Sequence, residues 1–225
     1  ICAAILVTSR TVGSPTGLYL LDVIISMIWI VGLTNAINFL DNIDGGAAGV
    51  VAISCIGLFF LAHEGGQELI AAMGIVTAGA ALGFLVWNRP PARIYMGDAG
   101  ALFLGIIIAS LTIRLKPNPI NEFARYVVPV LLLAIPIMDT LVAVLGRIYA
   151  GKSPFQGGRD HLSHRLMNLG LSRKQAVVTI WLIATFFGAL AIILSNAPYH
   201  VEGLLALFAA GLWILFAIFF LSKNP

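Results

Sequence analysis

Seven apolar stretches recur along the chain, at roughly 18–40, 47–62, 69–88, 99–115, 125–146, 175–195 and 201–221. Each has about 16–23 residues, near the length an α-helix needs to cross a ~30 Å hydrocarbon core. None shows the alternation of apolar and polar residues that marks a barrel strand. A backbone deprived of water must satisfy its own hydrogen bonds, so these stretches predict transmembrane helices. The expected fold is all-α, a polytopic membrane bundle of about seven helices forming a single domain over residues 1–225. Gly79-Ala-Ala-Leu-Gly83 is a GxxxG, which predicts close helix approach.

Composition agrees. The 225 residues are 60% hydrophobic and 10% charged, with mean hydropathy +0.99, more apolar surface than a soluble domain of this size hides. A net charge of +3 without a long basic run excludes nucleic acid as a partner. Cys2 and Cys55 lie in apolar stretches and predict free thiols. The opening Ile1-Cys-Ala-Ala-Ile-Leu-Val reads as the tail of another membrane helix, so the chain is expected to be the C-terminal part of a longer domain.

The basic residues orient the bundle. With Asp41–Gly46 placed in the cytoplasm, that side holds Arg89, Arg93, Arg147, Lys152, Arg159, Arg165, Arg173, Lys174 and Lys223. The other side holds Arg10, Arg114, Lys116 and Arg125. Nine against four satisfies the positive-inside rule. Segments 41–46, 88–98 and 147–174 then share one face, and they contain most of the unusual polar residues.

Asp41 and Asp44 are three apart, and Asn35 and Asn38 continue the stripe toward the membrane. Gly45 and Gly46 let the chain leave the helix at an unusual φ. These residues suit either a polar helix terminus or a site. Asp98, in Tyr95-Met-Gly-Asp-Ala-Gly100, suits either an N-cap or a third carboxylate beside the pair. Hard oxygen ligands of this kind favour Mg²⁺, or Mn²⁺, over zinc, and Mg²⁺ completes its shell with water and substrate phosphates.

The loop at 151–169 supplies donors. His161, His164 and Arg165 fall at i, i+3, i+4, as groups that bind or protonate phosphate oxygens do. Leu162, Leu166 and Leu169 lie on another side, as in a short interfacial helix. Gly170 stops that helix, and Ser172-Arg-Lys-Gln175 is a capping box for the next. Asp139, an acid within the fifth stretch, is left outside the core site, with a packing role as plausible as a functional one.

Several motifs occur in order: Asn38-Phe-Leu-Asp-Asn-Ile-Asp-Gly45, Met96-Gly-Asp-Ala-Gly-Ala-Leu-Phe-Leu-Gly105, Pro136-Ile-Met-Asp-Thr140, Gly151-Lys-Ser-Pro-Phe155 and Arg159-Asp-His-Leu-Ser-His-Arg-Leu166. Together they resemble the polyprenyl-phosphate N-acetylhexosamine-1-phosphate transferases, over about Leu33 to Val178. The resemblance implies transfer of a sugar 1-phosphate from a UDP-N-acetylhexosamine to undecaprenyl phosphate, with release of UMP. It implies Mg²⁺, a bacterial cytoplasmic membrane location with the site facing the cytoplasm, and a homodimer as a possible assembly. Asp98 matches the family's metal ligand. Asp41 and Asp44 match its acidic pair, tied to catalysis and nucleotide placement, with Asp41 a second candidate metal ligand. Asn88 and Tyr95 match positions that hold and stack uracil, with Asn42 beside them and Asn38 in the same motif. His161, His164 and Arg165, with Arg159, match the histidine motif that contacts the donor's phosphates.

The chain departs from the family at several points. It has no adjacent Asp-Asp pair, Ser163 stands where a third His is usual, Asn42 replaces a Gly, and Ala101 replaces a Ser. The motif wording favours the hexosamine branch, with GlcNAc first. The competing readings are a non-catalytic relative that binds lipid phosphate or UDP-sugar and, more distantly, a transporter. A transporter predicts polar groups at mid-membrane and repeated halves, which the pattern lacks.

Overall fold

The computed structural model describes residues 17–117, 124–154 and 158–223. Among them are nine α-helices and no strand. These are α1 (Tyr19–Leu40), α2 (Gly46–Glu64), α3 (Glu68–Asn88), α4 (Gly97–Thr112), α5 (Ala124–Leu132), α6 (Ala134–Tyr149), α7 (Leu162–Asn168), α8 (Arg173–Ser195) and α9 (Tyr199–Leu221). The chain is an all-α multi-pass membrane protein. Arg10, Phe155 and Cys2, on which parts of the sequence reading fell, lie outside the described residues, as does the Arg125 side chain.

Five helices, α1, α2, α3, α8 and α9, are long and apolar enough to cross a membrane. The expected count of seven is therefore approximate, for two physical reasons. First, α4 has only 16 residues, a rise of about 24 Å. It nevertheless joins the two faces of the bundle. Asp98 opens it beside α1, while just beyond its far end Gln67 Nε2 donates to Arg114 O at 2.9 Å and Lys116 N to Gln67 Oε1 at 2.6 Å, at the α2–α3 turn.

Second, the expected continuous span 125–146 is broken. α5 and α6 meet at a bend of 74° at Leu133. Pro136 explains it, because a proline has no N–H for the carbonyl four residues back and its ring clashes there. The freed Leu132 carbonyl accepts from Ser54 Oγ at 2.7 Å, and Ala134 O accepts from Trp213 Nε1 at 3.0 Å. Neither carbonyl is left unpaired in an apolar interior.

α2 is the hub. Its apolar window is 72% buried, against 17% for α9, and α3, α8, α5 and α4 pack around it. Small residues permit this. A Cβ at Gly74 of α3 would lie 2.7 Å from Leu58, one at Gly57 2.7 Å from Leu132, and one at Gly105 of α4 2.8 Å from the α1 backbone at Thr34. The expected approach at Gly79 and Gly83 is absent among the described residues, with nothing within 4 Å of either. Both glycines sit on the outward side of α3. Cys55 is a buried free thiol.

The turns sort to two ends. Glu64 meets Asn196 at 3.1 Å, joining the α2–α3 and α8–α9 turns at one end. The α1–α2 turn, the α3–α4 loop and α7 collect at the other.

Candidate active site

α1 ends at Leu40, with Asp41 as its C-cap. The next residues form a turn closed by Gly45, whose φ of +76° only glycine adopts freely. Gly46 is already the first residue of α2, so of the two glycines Gly45 alone makes the unusual turn. The turn is held from three sides. Gly45 N donates to Asn88 Oδ1 at 2.9 Å, Ala92 N to Asp44 Oδ2 at 3.1 Å, and Ser163 Oγ to Asn42 Oδ1. A fourth bond, Asn38 Nδ2 to Asp98 Oδ1 at 3.2 Å, ties α1 to the start of α4. Asn38, Asp41, Asn42, Asp44, Asn88 and Asp98 are thus gathered at one end of the bundle, with α7 against them.

Asp98 is not an N-cap. Met96 holds that position, makes no side-chain capping bond, and Asp98 lies in the first turn with an exposed carboxylate. That leaves it available to a ligand. Asp41 is half-buried and its carboxyl is pushed up to about 6. Burial is the largest cause, followed by the charges of Asp98 and Asp44, while a hydrogen bond from Gly97 N–H opposes the rise. A cation would relieve that repulsion, and two carboxylates with open coordination positions suit a hard dication that retains water. Among the described residues no three His, Cys, Asp or Glu side chains close on one point as a complete protein cage would. Asp41 and Asp98 are the residues that would hold a cation here, with Asp44 engaged by the Ala92 N–H.

The histidine segment is organised by an acid that the sequence reading set aside. Asp139 is fully buried on α6. It accepts from His161 Nδ1 at 2.7 Å through Oδ2, and from Leu162 N at 2.7 Å through Oδ1. A carboxylate at Nδ1 fixes the tautomer with its proton there, leaving Nε2 as the acceptor. The bend at Leu133 is what brings α6 round to this contact. A signal for the break was present in Pro136, but nothing in the sequence paired residues 139 and 161.

His161 precedes α7 as its N-cap residue with an extended backbone, so of His161, His164 and Arg165 only the last two lie within the helix. His164 is half-buried, and its pKa is lowered by burial first, then by His161 and Arg159, against Asp139 and Asp160. The shift favours the neutral imidazole. Arg159 is exposed. Arg165 is 1% exposed and donates to Asp160 O at 2.9 Å, Phe220 O at 2.8 Å and Lys223 O. It caps the carbonyls at the end of α9. Arg147 is also buried, with Nε 2.7 Å from Asp160 Oδ2. These two arginines both hold Asp160, the residue before His161.

Asn88, only 2% exposed, also donates through Nδ2 to Ile94 O at 2.9 Å. Its amide bridges two loops. Tyr95 projects from the same loop, 77% exposed.

Residues 1–116 match a family model described as glycosyl transferase family 4. The chain is 40% identical over 174 residues to a protein of Bacillus subtilis (strain 168) named probable undecaprenyl-phosphate N-acetylglucosaminyl 1-phosphate transferase, covering 77% of this chain and 48% of that one. It is 34% identical over 188 residues to decaprenyl-phosphate N-acetylglucosaminephosphotransferase of Mycolicibacterium smegmatis, covering 75% and 46%. It is 32% identical over 170 residues to phospho-N-acetylmuramoyl-pentapeptide-transferase of Anoxybacillus flavithermus, covering 76% and 50%. The chain spans about half the length of these relatives.

Proposed function

The chain belongs to glycosyl transferase family 4, and from that premise we propose that it carries the carboxylate and histidine part of an enzyme that moves an N-acetylhexosamine 1-phosphate from a UDP-sugar to undecaprenyl phosphate. The sugar is GlcNAc, as the names of two relatives suggest. The setting is the bacterial cytoplasmic membrane, and the product feeds cell-envelope polysaccharide. A cytoplasmic site is supported by Arg89, Arg93, Arg147, Arg159, Lys174 and their neighbours at the carboxylate end.

The observation that carries the reading is the meeting of Asp41, Asp44 and Asp98 with the Asp139-held His161 through the Asn42–Ser163 bond. A lipid phosphate oxygen attacks the phosphorus bearing the sugar, that P–O bond forms, the bridging P–O bond breaks, and its electron pair leaves on UMP. Both reactants are anions, so the chemistry asks chiefly for positioning and charge neutralisation. Mg²⁺, or Mn²⁺, held by Asp98 and Asp41 supplies that neutralisation when bound. Arg159 presents a further exposed positive charge to the phosphates. His161 Nε2 takes the proton that a phosphate monoester retains in part near neutral pH. Tyr95 offers an exposed ring for the uracil, and Asn88 shapes that pocket by clamping Gly45 to Ile94. Arg165 acts as a positioning residue for the His161 segment.

In the complete protein, Asp98→Asn abolishes Mg²⁺-dependent UMP release while the protein remains folded in the membrane. Wild-type rates in that variant would take Asp98 out of the site and leave the proposal without its metal ligand.

A further inference from the structure

α3 and α8 both pack on α2 and barely touch one another. At the carboxylate end they leave a cleft of about 560 Å³, whose lining includes Trp87, Arg89, Arg93, Lys174, Val178 and Trp181. None of the carboxylates or histidines described above lines it. Its size falls within the range of small-molecule sites.

Three cations line this cleft. Among the described residues no carboxylate pairs with Arg89, Arg93 or Lys174. The Arg93 guanidinium lies 5.7 Å from the centre of the Trp87 ring. The floor is rigid. Trp181 Nε1 donates to Gly45 O at 3.1 Å, and Gly49 lies so close that a Cβ there would be 2.0 Å from the same nitrogen.

Val86, Val177 and Val178 add an apolar wall to the lining. Leu82 and Val86 sit one turn apart on α3, and Val178 and Leu182 one turn apart on α8; all four are exposed. A soluble anion would use the cations and leave both stripes bare. A phosphate joined to an acyl chain uses both.

We propose that this cleft binds an anionic phospholipid, with its phosphate on Arg89, Arg93 and Lys174 beside Trp87 and an acyl chain along Leu82, Val86, Val178 and Leu182. The site is separate from the carboxylate cluster and rests on the membrane fold, not on the transferase chemistry.

The test titrates the purified chain in detergent with phosphatidylglycerol or phosphatidylcholine of equal acyl length, counting bound lipid by native mass spectrometry. A basic residue near an anionic lipid surface contributes on the order of fivefold, so three give a preference of ~100-fold for phosphatidylglycerol. Arg89→Gln/Arg93→Gln/Lys174→Gln removes that preference, and Arg89→Lys/Arg93→Lys retains most of it. Equal binding of the two lipids, or an undiminished preference in the triple variant, overturns the proposal. So does competition by soluble glycerophosphoglycerol as strong as by the lipid, which would mark a soluble-anion site. Displacement of the lipid by UDP-GlcNAc overturns it too, by making the cleft part of the donor site. Should the triple variant fail to fold, a Trp29→Phe/Trp213→Phe chain leaves the two cleft indoles as reporters. Brominated phosphatidylglycerol then quenches them more than brominated phosphatidylcholine does, and equal quenching refutes the site.

Discussion

Asp139→Asn separates a catalytic histidine from a merely buried one. The carboxylate has no solvent exposure and accepts two bonds of 2.7 Å, from His161 Nδ1 and Leu162 N. An asparagine has one acceptor oxygen and one NH₂. If the oxygen keeps Leu162 N–H, the NH₂ meets Nδ1, and His161 must carry its proton on Nε2 instead. The side chain stays in place but becomes a donor where the proposed chemistry needs an acceptor. Positioned proton transfer contributes about 10²–10⁴-fold, and loss of an orienting partner typically costs 10–100-fold. The expected result in the full-length enzyme is therefore kcat lower by ~100-fold with KM little changed. Hydrogen bonds to a charged group contribute roughly 1.5–3 kcal/mol each, against roughly 0.5–1.5 kcal/mol for neutral pairs, so making both bonds neutral lowers stability by about 2 kcal/mol, which thermal unfolding in detergent reads. The decisive assay pairs UMP-release kinetics with ¹⁵N shifts of labelled histidine. An unchanged kcat, or a His161 that keeps its proton on Nδ1, refutes the reasoning.

Three further outcomes are expected. Asp41 binds a proton more tightly folded than unfolded, its pKa rising from 3.8 to about 6. Asp41's contribution to stability without cation is therefore fully present below pH ~4 and is lost as pH rises through about 6; solvent screening of this half-exposed group limits the size of the effect. Mg²⁺ favours the ionised form, so its addition near pH 6 releases protons, and calorimetry in buffers of different ionisation enthalpy that finds none removes Asp41 from the metal site. Tyr95→Ala raises KM for the UDP-sugar by about tenfold, the scale of one base–aromatic stack, with kcat held; an unchanged KM ends its stacking role. Arg165→Ala removes the guanidinium joining Asp160 to the end of α9 and lowers stability by roughly 3 kcal/mol while KM for the donor moves little. A large KM rise without loss of thermal stability would return Arg165 to the phosphate site.

The features legible in the sequence are those that a few neighbouring residues determine. Ser172 and Gln175 form the expected capping box, with Ser172 N donating to Gln175 Oε1 at 2.9 Å and Gln175 N to Ser172 Oγ at 3.4 Å. Gly170 ends α7 at φ +94°, and the long apolar helices fall within a few residues of their expected limits. Shared membrane sidedness also grouped the 41–46, 88–98 and 147–174 segments, because an alternating chain returns to the same face. What alternation does not give is partnership. Arg165 and His164 are adjacent in sequence, yet one caps α9 from the interior and the other is half-exposed beside Arg159. The family resemblance put Asn88 among the positions that hold uracil, and the structure shows its amide bonded to two backbone groups of other loops. The glycines at 79 and 83 had the spacing of a packing motif and face outward, while Gly74, Gly57 and Gly105 make the close approaches without such a motif. Asp139 is the sharpest case. Read as a residue within a straight span it has no partner in the sequence; it meets His161 only because Pro136 breaks the helix and turns α6 toward the loop. A proline that ends a span early is thus also what completes the site, and the place to look for an unassigned acid's partner is along the redirected axis, not along the sequence.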